Sequence, residues 1–160
     1  MMIIRRIEGA VIMANLAKYI SVNNVACGVQ AANWEESVLA AGKLLLNSGA
    51  IEESYIQRCV DTVKTEGPYM VLTKGIALAH TRPGDDVKEE AISVVSLETP
   101  VEFGHKDNDP VKLVFLLAAL TDNSHIGALM ELAQKLSEPD MKELLQKESN
   151  AEKLYEMLVK

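Results

Sequence analysis

Aromatic side chains are scarce in this 160-residue chain, at 4% of residues, with one Trp and two Phe. So few rings leave few platforms on which bases could stack, and nothing in the charge favours nucleic acid. Lys and Arg number 16 against 23 Asp and Glu, a formal net charge of −7. Such a surface repels phosphate backbones and anionic membranes, so neither is expected as a partner. Cysteine is nearly absent. Cys27 and Cys59 lie far apart without C-x-x-C spacing and read as free thiols of a reducing compartment. No apolar run approaches the roughly 20 residues needed to cross a bilayer. No G-x-G-x-x-G or Walker A run appears, so nucleotide binding lacks its anchor and no cofactor is expected. The first residues hold two arginines but no long apolar stretch, so a secretory signal is not expected there. Residues 1–12 are expected to be a leader or disordered extension ahead of a second start at Met13. Residues 13–160 are expected to form a single domain, since this length holds one core comfortably.

What remains is an ordinary globular apolar content of 48%, carried by Ala, Leu and Val. Leu16–Ile20 reads as one helical turn and residues 22–31 as an edge strand. Asn33 caps a helix with Glu36 at capping-box spacing, Trp34, Val38, Ala41 and Leu45 form its buried stripe, and Gly49 stops it. A second helix spans about 52–64, with Tyr55, Ile56, Cys59, Val60 and Val63 inward, and ends at Gly67-Pro68. Strands are expected at 69–73, 76–79, 91–97 and 111–120, the last central because it is nearly all apolar. Residues 99–110 read as a polar turn. Ser124 is expected to cap a helix with Ile126, Leu129, Met130, Ala133 and Leu136 inward. Pro139 suits the first turn of the next helix, and Asn150 caps a last one with Leu154, Met157 and Leu158 inward. The pattern predicts a three-layer α/β/α sandwich around a small mixed, mostly parallel sheet.

The chemistry-bearing residues gather at strand exits. His80 ends the apolar run Ile76–Ala79, with Arg82 two residues on and Pro83-Gly84 closing the segment. Near its ordinary pKa an imidazole keeps a lone pair at neutral pH, which suits a nucleophile toward a phosphoryl group. A strand-end histidine satisfied by backbone is the competing reading, and the residues alone leave both open. His125 follows the strand 111–120 at a helix start, so it and His80 share an edge where sites of open α/β sheets gather. A solvent-exposed first-turn histidine is equally compatible with that position. His105 lies in the long turn, with a minor reading as a docking or branch-specific residue. No histidine shows zinc-type spacing, so no metal is expected.

Together these segments resemble the enzyme IIA domains of the bacterial phosphoenolpyruvate-dependent sugar phosphotransferase system, mannitol–fructose type. The resemblance rests on Trp34-Glu35-Glu36 with Ala41–Leu45, Gly49-Ala50-Ile51 with Tyr55, Gly75–His80, Pro100–Phe103, Pro110–Ala119, and His125 with Leu129. Gly67-Pro68-Tyr69, His80-x-Arg82-Pro83 and the stretch from Phe103 to Val111 look most like the L-ascorbate branch. The resemblance implies that His80 accepts a phosphoryl group from the phosphocarrier HPr and passes it to a cysteine of a IIB protein, with IIC in the membrane. It implies His125 as the second active-site histidine and a cytoplasmic location. Ala79 stands where the family usually has proline. The family's arginine on the preceding helix has no counterpart assigned from sequence, and Arg82 is expected to supply that charge. A regulatory module that senses phosphorylation by protein binding is the alternative function. Oligomeric state stays open, a homodimer included.

Overall fold

The computed structural model describes residues 15–160, so the expected leader at 1–12 lies outside the described residues. Single 3-10 turns at Leu16–Lys18 and Val22–Asn24 lead into β1 (Val25–Val29). Helices α1 (Trp34–Ser48) and α2 (Glu53–Glu66) follow. Asn33 accepts from the Glu36 N–H at 2.9 Å, as the cap spacing predicts, but the Glu36 carboxylate accepts from Ala32 N–H, one residue before the cap. Gly49 ends α1 at φ 85°, a conformation that glycine enters without a Cβ clash. Strands β2 (Val71–Thr73) and β3 (Ile76–Ala79) form a hairpin. Strand β4 (Ala91–Val101) runs farther than expected, taking Thr99, Pro100 and Val101 from the anticipated turn. Its register shifts between Ser96 and Val101, and that irregular stretch tolerates a proline that lacks an N–H. Strand β5 is Val111–Ala118, and α3 (Asp122–Leu136), α4 (Met141–Lys147) and α5 (Ala151–Val159) complete the chain.

The five strands lie in the order β1-β4-β5-β3-β2, with helices on both faces of a mixed sheet. The α/β sandwich is the one expected, though parallel pairings do not outnumber antiparallel ones. β1–β4 and β3–β5 are parallel; β4–β5 and β2–β3 are antiparallel. The short β2–β3 and β4–β5 connections account for this, since a parallel crossover needs about a dozen residues or more.

Alternation along the strands sorts the core into two. Ala77, Ala79, Val114, Leu116 and Ala118 face Val38, Ala41 and Leu45 of α1 and Tyr55, Ile56 and Cys59 of α2. Ile76, Leu78, Leu113, Phe115 and Leu117 face Ala128, Leu132 and Leu136 of α3, Leu145 of α4 and Leu154 and Leu158 of α5. Each fully buried Val, Leu, Ile or Phe among them contributes roughly 2 kcal/mol of transfer free energy.

Three helix details correct the sequence reading. Thr121, not Ser124, caps α3; Ser124 is its third residue and completes a reciprocal capping box. The buried stripe of α3 is rotated: Ala128, Glu131, Leu132, Lys135 and Leu136 face inward, while Ile126 and Met130 are 55% and 66% exposed. Pro139 stands outside α4, which starts at Met141 behind Asp140 at φ 62°.

Candidate functional site

Period-two alternation decides where His80 goes. Ile76 and Leu78 belong to the α3-side core, and His80 continues that series at the first residue past fully buried β3. It is half-buried there, and its Nδ1 lies 2.9 Å from the Leu78 carbonyl oxygen. A carbonyl can only accept, so this contact assigns the hydrogen to Nδ1 and leaves the Nε2 lone pair free.

Because β3 and β5 are adjacent and parallel, both end at the same edge of the sheet. β5 leads through Thr121 into α3, whose first turn is fixed from both sides. Thr121 Oγ1 accepts from Ser124 N–H at 3.0 Å, and Ser124 Oγ accepts from Thr121 N–H at 3.1 Å. This clasp brings His125 edge-on to His80, with ring centroids 5.1 Å apart and planes at 73°. Burial pushes the His125 pKa below its ordinary 6.5, the neighbouring His80 pushes it the same way, and Asp122 opposes both. The two expected histidines therefore meet, with the second biased toward its neutral form.

The histidines open onto a cleft of about 620 Å³ that also takes in Arg58, Thr62, Glu66, Thr81, Arg82, Asp122 and Ile126. Arg58 corrects the reading that left the preceding helix without an arginine. It sits on α2 and makes a two-point contact with Asp86, Nε to Oδ2 at 3.0 Å and Nη2 to Oδ1 at 2.7 Å. Its guanidinium carbon lies 5.2 Å from the centre of the Tyr55 ring. The hydrogen bonds between them raise the Arg58 pKa and hold the Asp86 carboxyl below its ordinary range. Ser54 Oγ donates to the same carboxylate at 2.9 Å. Arg82 lines the cleft too, exposed and without an ion pair among the described residues. Arg58, Thr62 and Glu66 recur every four residues and thus share one helix face, a spacing readable from sequence but not singled out.

Comparison with known proteins places the chain in a family. Residues 18–160 match the family model for the phosphoenolpyruvate-dependent sugar phosphotransferase system, EIIA 2. The chain belongs to this EIIA family. It is accordingly a phosphotransferase component of a sugar phosphotransferase system. Among curated proteins, the ascorbate-specific PTS system EIIA component of Escherichia coli strain K12 is 40% identical over 96 residues, covering 60% of this chain and 62% of the relative. Across such relatives the chain spans 62 to 67% of their length. Among solved structures, the mannitol-specific cryptic enzyme IIA CmtB of E. coli aligns with a TM-score of 0.82 at 31% identity, covering 91% of this chain and 98% of that one. The E. coli complex of mannitol enzyme IIA with phosphorylated enzyme IIB aligns with a TM-score of 0.76 at 26% identity, over 86% and 95% of the chains.

In this EIIA chain a buried tyrosine ties the two strand exits together. The Tyr55 hydroxyl on α2 donates to the Leu117 carbonyl at 2.6 Å and accepts from Thr81 N–H at 3.3 Å. Burial drives its pKa upward, so the phenol stays protonated. Thr81 is held again through its hydroxyl, 2.9 Å from that of Thr62. The residue after His80 is thus pinned to two side chains of α2.

His105 does not join this edge. It lies in the β4–β5 connection, which enters β5 at the end of the sheet opposite His80. There its Nδ1 accepts from Asp107 and Asn108 N–H, while Asp109 accepts from Phe103, Gly104 and His105 N–H. It shapes a turn and takes no part in a surface around the histidine pair. No group of three or more His, Cys, Asp or Glu is placed to hold a metal among the described residues. Cys59 is buried and its pKa is pushed up to about 12, which makes it a poor nucleophile.

The depressed His125 pKa has a checkable consequence. An ¹⁵N NMR titration of the unphosphorylated protein is expected to place His125 below 6.5 and to move it upward in His80→Gln, where one repulsive neighbour is gone. The unfolded chain takes up this proton first. The contribution to stability is therefore complete above the unfolded value and is lost as pH falls through the folded one. A titration at or above 6.5 with no response to His80→Gln contradicts the coupling.

Proposed function

We propose that this protein carries phosphoryl groups on His80 Nε2 for uptake of L-ascorbate, between HPr and a IIB protein. One observation carries the reading: the Leu78 carbonyl holds His80 Nδ1, which leaves Nε2 free in a cleft shared with His125 and Arg58. The neutral Nε2 attacks phosphorus of the donor phosphohistidine. The new N–P bond forms as the donor N–P bond breaks, and the positive charge left on the His80 ring rests against the Leu78 carbonyl through Nδ1–H. In the second step a IIB cysteine thiolate attacks the same phosphorus, and the electron pair returns to Nε2. Transfer of this kind rests on alignment and charge stabilisation, so no resident metal or nucleotide is needed. Arg58 and Arg82 stand on the cleft wall to meet the equatorial oxygens, and His125 contributes an N–H.

The surroundings suit two successive docking partners. Ile126 and Met130 on α3, with Leu120 just before it, are large apolar side chains left exposed beside the histidines. Such a patch fits brief encounters of modest area. IIB would pass the group on toward IIC in the membrane, with this chain on the cytoplasmic side. The ascorbate-specific components are 37–40% identical over 60–64% of this chain, which favours ascorbate.

The test is a transfer assay with phosphorylated HPr and purified IIB proteins of the ascorbate and mannitol branches. Label is expected to pass to the ascorbate IIB cysteine at least tenfold faster, a discrimination of about 1.4 kcal/mol. His125→Ala is expected to leave loading measurable and to slow the onward step. Equal transfer to both IIB proteins would remove the ascorbate assignment. Loading without transfer to either would favour a regulatory module.

A further inference from the structure

A second cleft lies at the other end of the sheet and has no part in the phosphoryl edge. It measures about 640 Å³, within the range of small-molecule sites. Thr73 at the end of β2, Lys74 of the β2–β3 turn, Pro100 of β4, Pro110 and Lys112 at the start of β5, and Lys142, Glu143, Gln146 and Lys147 of α4 line it. Four lysines and one glutamate give a local charge of +3 in a chain of formal net charge −7. Lys74, Lys142 and Lys147 are exposed and form no ion pair among the described residues. Lys112 is committed, its Nζ donating to the Leu97 carbonyl.

The walls of this cleft are bonded to one another. Gln146 Nε2 donates to the Lys74 carbonyl at 2.9 Å, which ties α4 to the hairpin turn. Gly75 N–H donates to the Asn108 carbonyl at 3.0 Å, and the Gly75 carbonyl accepts from Lys112 N–H at 2.8 Å. Residue 75 must be glycine here: φ is 80°, and a Cβ would come 2.1 Å from Gln146 Oε1. The turn, the β4–β5 loop, β5 and α4 therefore form one pre-arranged frame, with unpaired cations at its rim and two proline rings along its surface.

We propose that this cleft binds a small phosphate monoester. Lys74, Lys142 and Lys147 hold the phosphate as point charges, the mode in which lysine serves phosphate sites. The carbon body lies against Pro100 and Pro110, and Glu143 accepts from a hydroxyl of a polyol. A neutral sugar lacks the group the lysines select, and inorganic phosphate lacks the body the prolines cover. The proposal is independent of the role given to His80.

The experiment is an amide NMR titration of the full chain with ribose 5-phosphate, ribose and inorganic phosphate at 0.15 M salt. Saturable shifts are expected at Lys74, Gly75, Lys112 and Gln146 with ribose 5-phosphate. No shifts are expected with ribose, and binding of inorganic phosphate is expected to be about tenfold weaker. Lys142→Gln/Lys147→Gln, both exposed positions, is expected to weaken the ester by at least about tenfold, since two close charges are lost, while His80→Ala leaves it unchanged. Equal binding of phosphate and ester, unsaturable shifts spread over lysines elsewhere, or an undisturbed double variant would overturn the proposal. Tighter binding of a poly-glutamate peptide at the same amides would overturn it in favour of an acidic protein surface.

Discussion

Replacement of His80 by alanine is expected to abolish labelling of this protein by phosphorylated HPr altogether. The effect should be total because no neighbour can take over as nucleophile. Both Cys27 and Cys59 have pKa values raised above the ordinary thiol value by burial. His125 enters the cleft from the first turn of α3, on a different element, and among the described residues no carbonyl holds one of its nitrogens as Leu78 holds His80. The fold should survive the change. His80 is half-buried at the end of β3, outside both core clusters, and removing it opens no interior cavity. Thermal unfolding of the variant within a few degrees of the parent, together with complete loss of acid-labile label, is the expected pair of results. Label retained on a folded His80→Ala protein would mean that another residue carries the group.

Replacement of Arg58 by methionine is expected to slow phosphoryl transfer by about 10²–10³-fold, the scale seen when one preorganised charge-stabilising donor is removed. The long apolar side chain keeps the stem packing over Tyr55, so the loss reports the guanidinium. Two controls separate charge from geometry. Arg58→Lys retains the charge without the fork and should recover only part of the rate. Asp86→Asn weakens the carboxylate that now holds Arg58 and leaves the arginine in place, so transfer should be preserved. If Arg58→Met loses less than threefold, Arg82 alone suffices and the earlier sequence expectation stands.

The contrast between these two residues explains what could be read in advance. His80 was legible because its setting is local: four apolar residues of a short strand, then a polar exit closed by Pro83-Gly84. The sandwich was legible for the same reason, since Val111–Ala118 and the α1 stripe are long periodic signals. Arg58 depends on partners that only folding supplies, namely Asp86 28 residues later and Tyr55 beneath it. The rotated face of α3 has a related cause. Apolar Ile126 and Met130 suggested a core stripe, yet they are exposed beside the cleft, while Glu131 and Lys135 go inside. Glu131 is compensated there by Lys18 at 3.5 Å and Asn15 N–H at 3.1 Å, and Lys135 by Glu138 at 3.1 Å and the Lys160 carbonyl at 2.7 Å. Departures from local pattern of this kind gather at functional surfaces. The β4–β5 turn is shorter than its polar composition suggests, because a shifted register accommodates Pro100 within β4.

The Tyr55 phenol has a mechanical consequence. One helix, α2, carries Arg58 into the histidine cleft and also grips the chain at Thr81 and Leu117, where the two histidine-bearing segments leave the sheet. The guanidinium and both imidazoles thus ride on a common chassis. In the proposed transfer, a donor and then an acceptor protein would press on that rim, the parts that must stay aligned would move as one body, and the distance phosphorus has to travel would be set by the carrier itself.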